Sequence, residues 1–97
     1  MSSENKIKRV YAKDNYILIC EFENGIKKRY DMKILFEEYK IFKQLKENKE
    51  LFNNVVVDKG GYGISWNEEI DLAAEEIWEN GEDVCPEDLY YNGKKIN

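Results

Sequence analysis

Glu68, Glu69 and Asp71 are the side chains whose type and spacing come closest to chemistry. Two carboxylates brought together can divide general-acid and general-base work, and three can hold a magnesium ion. The spacing argues against both uses. Glu68 and Glu69 are chain neighbours that point apart, and Asp71 stands where a helix N-cap is expected. The remaining inventory removes most other chemistry. The 97 residues contain no histidine and no threonine, and Ser65 is the only serine beyond the first three positions. That leaves no Ser-His or Cys-His pair and none of the commonest zinc ligand. Ser65 is expected as a solvated hydroxyl on the outer face of a strand. Gly60, Gly61 and Gly63 lack the spacing of a phosphate loop and precede a strand rather than a helix, so a hairpin turn accounts for them. Cys20 and Cys85 show no paired spacing for zinc or a disulfide framework. No catalytic residue, metal or cofactor is expected, and the chain is not expected to be an enzyme.

The elements that would position these residues follow from periodicity. Ile7, Val10 and Tyr11 mark a first strand. The run from Tyr16 to Met32 predicts a hairpin closed by Glu23-Asn24-Gly25, because that register pairs Phe22 with Ile26, Leu18 with Tyr30 and Tyr16 with Met32 on one face. It also sets Glu21 opposite Lys27. Apolar residues at three- and four-residue spacing then predict short helices over 33–39 and 48–53, the second capped by Asn48. A second hairpin turns at Gly60-Gly61 and pairs Val57 with Ile64 and Val55 with Trp66. A last helix is expected over 72–80, capped by Asp71, with Ala73, Ala74, Ile77 and Trp78 inward and Gly81 ending it.

The sum is an α+β single domain over 1–81 in the order β-β-β-α-α-β-β-α, with about five antiparallel strands and two or three short helices. Residues 82–97, acidic and then polar, form a tail in which Leu89-Tyr90 could dock. The expected core includes Phe22, Tyr30, Phe52, Val57, Ile64, Trp66 and Trp78. Trp66 and Trp78 could instead stack on a ligand, but their inward phase favours packing.

Charge is divided along the chain. The net charge is −5, yet residues 1–50 carry 12 basic and 9 acidic side chains, and residues 51–97 carry 3 and 11. Between Glu68 and Asp88 lie ten carboxylates and no cation. Such a surface repels phosphate and attracts basic partners. Glu68, Glu69, Glu75, Glu76 and Glu79 are therefore the expected contact residues for a protein with a basic surface. A nucleic-acid-directed regulator using Lys6, Lys8, Arg9, Lys27, Lys28 and Arg29 on the first three strands is the alternative. No exposed aromatic is interleaved with those cations and the net charge is negative, so direct nucleic-acid binding is disfavoured. No apolar run reaches the ~18 residues of a membrane span, and the start lacks a signal-peptide core, so a cytoplasmic location is expected.

One set of residues carries a family resemblance. In order it comprises Phe22-x-Asn24-Gly25, Tyr30-Asp31, Phe42-x-x-Leu45, Leu51-Phe52, Val55-x-Val57-Asp58 and the run GYGISWNEEIDLAAEEIWENG over 61–81. The chain resembles the small bacterial proteins of domain of unknown function 2442 across residues 5–81. The resemblance implies an α+β domain and carries over no catalytic residues. It also implies company: some relatives precede a helix-turn-helix domain, and standalone members sit beside another small protein, as toxin–antitoxin-like pairs do.

Overall fold

The computed structural model describes residues 5–91 and 93–96. Strand β1 (Ile7–Lys13) pairs antiparallel with β2 (Ile17–Phe22), and β2 with β3 (Lys27–Asp31). The β2–β3 register is the one the hydrophobic pattern demands: Leu18 faces Tyr30, Glu21 faces Lys27, and the Phe22 and Met32 amides donate to Ile26 and Tyr16. Gly25 at φ +90° closes the loop in the left-handed region, so Phe22 keeps its place on the core face.

Between β1 and β2, Asn15 and Tyr16 also hold positive φ. For tyrosine this is a strained backbone, and packing maintains it. The Tyr16 ring lies edge-on to both Phe36 and Phe52, each at 5.2 Å, and its hydroxyl donates to the Lys46 carbonyl at 2.8 Å. One side chain thus ties the first hairpin to the helical segment.

That segment holds α1 (Lys33–Glu38), a 3-10 turn over 40–42, α2 (Lys43–Glu47) and α3 (Lys49–Asn53). Asn48 caps α3, accepting from the Leu51 amide at 3.1 Å. Between the two helices expected from the spacing, the chain makes a further one, α2, which buries Leu45.

The second sheet contains β4 (Val56–Val57), β5 (Gly63–Ser65) and β6 (Asp71–Ala73) in that order. Val57 faces Ile64 as expected. The turn is longer than two residues, because the bond from the Gly61 amide to the Asp58 carbonyl puts Lys59 and Gly60 at its corners. Gly60 takes the φ +87° that this corner requires. Ser65 is half-buried and donates to Asp58, so it is not a solvated hydroxyl.

Asp71 is not a helix cap. The Asn67 side chain accepts from the Glu69 and Ile70 amides, both at 2.9 Å, and the Trp66 amide donates to the Ile70 carbonyl. This side-chain-closed turn reverses the chain, so Asp71 lands opposite Ser65 as the start of a strand. Helix α4 (Ala74–Asn80) begins only afterwards, with Ala73 at the N-cap and no side-chain cap. Consequently Ala73 is exposed, and the buried face of α4 is Ala74 and Ile77.

The main core lies between the two sheets and the helices. Phe22, Phe52, Ile64, Leu18, Met32, Leu45, Ile70 and Ile77 are essentially inaccessible, and Tyr30 and Trp66 are each 6% exposed. Val57 and Trp78 are only partly buried against this core. Trp78 serves as a cover: Phe22 meets it edge-on at 5.1 Å and the Lys28 ammonium lies over it at 4.9 Å. Burial pushes the Cys20 thiol up to about 12, which makes it an inert packing group.

Every residue of β2 is buried, so the sheet is covered on both faces. The segment after Gly81 supplies the second cover. Strand β7 (Glu82–Asp83) pairs with β3, so the larger sheet runs β1-β2-β3-β7. A 3-10 turn over 86–89 and a small hairpin of β8 (Tyr90–Tyr91) and β9 (Lys94–Lys95) follow. The Lys13 ammonium donates to the Glu87 and Asp88 carbonyls at 3.3 and 2.7 Å, and Arg29 reaches Asp88 at 3.5 Å. Lys13 faces Ile17 and Arg29 faces Ile19 across the ladder, so the tail is tied to the sheet on either side of that pair of isoleucines. Ile17, Ile19 and Ile96 are all buried, and they lie outside the main core cluster.

Candidate functional site

The carboxylates of 68–83 do not form one uniform surface. Glu68 and Glu69 are exposed at the Asn67 turn, and Glu75 and Glu79 are exposed on α4. Glu76 is held differently. It accepts from the Tyr30 hydroxyl at 2.8 Å and from the Asn80 amide at 2.9 Å, so it joins α4 to β3 rather than standing free. Glu82 lies 3.4 Å from Arg29 in an exposed pair of small energetic value. Among the expected contact residues, Glu68, Glu69, Glu75 and Glu79 share the outer surface, and Glu76 belongs to a groove. Among the described residues no group of acidic, cysteine or histidine side chains is arranged to hold a metal ion.

The groove runs between α1 and α4. One part, of about 460 Å³, is bounded by Tyr30, Ile34, Leu35, Glu38, Glu76 and Asn80. Leu35, Glu38 and Glu76 also border an adjoining part of about 430 Å³, which continues past Tyr39 and Phe42 to Asp71 and Ala73 of β6. This second end is lined by three carboxylates and, among the described residues, by no Lys or Arg. Periodicity shows only the buried side of α1. It gives no sign that Glu38 on α1 and Glu76 on α4 face the same space, since that depends on how the two helices are set across β3.

Tyr30 is the titratable group most affected by this arrangement. Burial, the hydrogen bond to Glu76 and the negative charges of Glu76 and Glu38 push its phenol well above its ordinary value. The folded protein therefore holds the proton more tightly than the unfolded chain does. The associated stability is fully present below the unfolded phenol's pKa of ~10 and is lost as pH rises beyond it. Cys20 acts in the same direction, beginning near the ordinary thiol range. In Tyr30→Phe the alkaline fall in denaturation midpoint should be shallower above pH ~10, and at neutral pH the loss of one hydrogen bond should cost about 1 kcal/mol. A variant that follows the wild-type curve through that range would exclude Tyr30 as the source.

Four of the six basic residues expected on the first sheet have partners of their own. Arg9 pairs with the buried Glu21 at 3.2 Å, Arg29 with Glu82 and Asp88, Lys28 with Trp78, and Lys6 lies over the Tyr62 ring at 5.2 Å. The tail also lies against this sheet, with β7 paired to β3 and Asp88 beside Arg29. No helix among the described residues is long and apolar enough to cross a membrane.

Fold and groove together define a small α+β domain with a cleft between α1 and α4 whose β6 end carries only carboxylates among its charged lining residues. The chain belongs to the family described as protein of unknown function (DUF2442), whose profile matches residues 7–80. No curated protein and no solved structure matches it. The family match ends at the last residue of α4, so the covering tail lies beyond it.

Proposed function

We propose that this chain is a non-catalytic interaction module that works in the bacterial cytoplasm through a protein partner with a basic surface, as one member of a toxin–antitoxin-like pair would. The observation that carries this reading is the exposed quartet Glu68, Glu69, Glu75 and Glu79, which has no cation between Glu68 and Asp88 to neutralise it. A surface with only a solubilising role gains from interspersed lysines, because crowded like charges cost stability. The same quartet with a basic partner becomes a steering field, strongest at low salt and screened over ~8 Å at physiological ionic strength. The internal pairing of Arg9, Lys28 and Arg29 also favours a protein partner over nucleic acid.

The test is capture of the bound protein from the native host, followed by association kinetics with that protein. Reversing Glu68, Glu75 and Glu79 to Lys should leave the fold intact, since none of the three makes an internal bond that the packing requires. Association should slow at least tenfold, and the wild-type rate should fall with added salt. A variant that associates at the wild-type rate would reduce the quartet to solvation.

A further inference from the structure

We infer that the β6 end of the groove is a strand-addition site, where an extended Lys- or Arg-bearing peptide of the partner pairs with β6 beneath Tyr39. This rests on the partner reading above and gives it a location and a mode. The first observation is an open edge. β6 has β5 on one side and, among the described residues, no strand on the other. The Trp66–Ile70 and Ala74–Tyr62 bonds fix the ladder's phase, so Leu72 directs its amide and carbonyl at Ile64. Asp71 and Ala73 therefore turn their amides the other way, towards the cleft. Exposed edges of this kind are what added strands bind.

The second observation is that the edge is not flush with the surface. It forms one wall of the 430 Å³ cleft, and Leu35, Tyr39 and Phe42 form the other. A chain paired to β6 would set every second side chain against that apolar wall. Tyr39 is 54% exposed at the rim, where a bound cation could lie on its ring. The third observation is charge. Glu38, Glu76 and Asp71 surround the edge with no Lys or Arg among the lining residues, so a cationic strand is matched and an acidic one rejected.

An Ala73→Pro variant tests the site cleanly. Ala73 has φ −71°, which proline adopts without strain, it is exposed, and its amide is not used by β5. The substitution removes one edge donor while leaving the ladder and α4 in place. Amide hydrogen exchange would be followed with an acetylated alternating Lys-Val heptapeptide as probe, and an alternating Glu-Val heptapeptide as its control. The Lys-Val peptide should slow exchange at Asp71 and Ala73 in the wild type, the Glu-Val peptide should not, and Ala73→Pro should bind the Lys-Val peptide at least tenfold more weakly. Protection confined to other amides, or none at saturating peptide, would overturn the site. The captured partner separates this proposal from the one it rests on. Weak binding by Ala73→Pro beside unchanged binding by the triple Lys variant would support the groove and sink the acidic quartet. The reverse pattern would overturn the groove and leave the quartet standing.

Discussion

Trp66→Ala should lower the unfolding free energy by about 3–5 kcal/mol, a large share of the stability of a domain this size. The indole is 6% exposed at the end of β5. Its Nε1 donates to the Phe52 carbonyl at 3.1 Å, and its ring meets Phe42 edge-on at 6.3 Å. One side chain therefore joins the second sheet to α3 and to the 3-10 turn before α2. Truncation leaves a ring-sized void and an orphaned carbonyl together, two losses that local collapse cannot repair at once. Trp78→Ala should cost less, about 1–2 kcal/mol, because Trp78 covers Phe22 from a half-buried position and the Lys28 stem can settle over the gap. Urea titration of both variants gives the ranking. Tryptophan emission supplies an independent check: Trp78→Ala retains the blue-shifted, iodide-resistant component and Trp66→Ala loses it. Equal losses in the two variants would show that the helix and strand faces carry the same burden.

The contrast between the two tryptophans shows what the sequence encodes openly. Elements that bury alternate side chains are legible, because a register error would expose Phe22, Leu18 and Tyr30 together; the β2–β3 hairpin and the Val57–Ile64 pairing follow from that constraint alone. The cap at Asn48 is legible for the same local reason. β6 is hidden because Asp71-Leu72-Ala73 looks like a capped helix start, and what decides otherwise is the Asn67 side chain closing the turn four residues before Asp71. β7 is hidden because Glu82 and Asp83 join β3 through their backbones, with exposed side chains that carry no pattern. The acidic stretch is visible in the sequence as charge. Its division into a free quartet and a bonded Glu76 depends on Tyr30, 46 positions away.

A chain ending at Gly81 should be less stable than the full chain by about 2–4 kcal/mol and should bind a hydrophobic dye that the full chain does not. The sequence presents residues 82–97 as a polar tail, but the first sheet has an apolar outer face that this segment occupies. Ile17 and Ile19 on β2 are 6% and 0% exposed, and Ile96 in the tail is 6% exposed. Each isoleucine returned to water costs about 1.5–3 kcal/mol, and the freedom regained by the released segment offsets part of that sum. Truncation also removes β7 from the edge of β3 and strips Lys13 and Arg29 of the Glu87 and Asp88 groups they hold. Two cations and two isoleucines would then face solvent beside the newly open edge of β3, a surface prone to self-association. Ile96→Ala in the full chain separates the contributions: it should reproduce roughly a third to a half of the loss without exposing the edge of β3. If the truncated chain unfolds at the full chain's midpoint and leaves the dye dark, Ile17 and Ile19 are shielded without the tail.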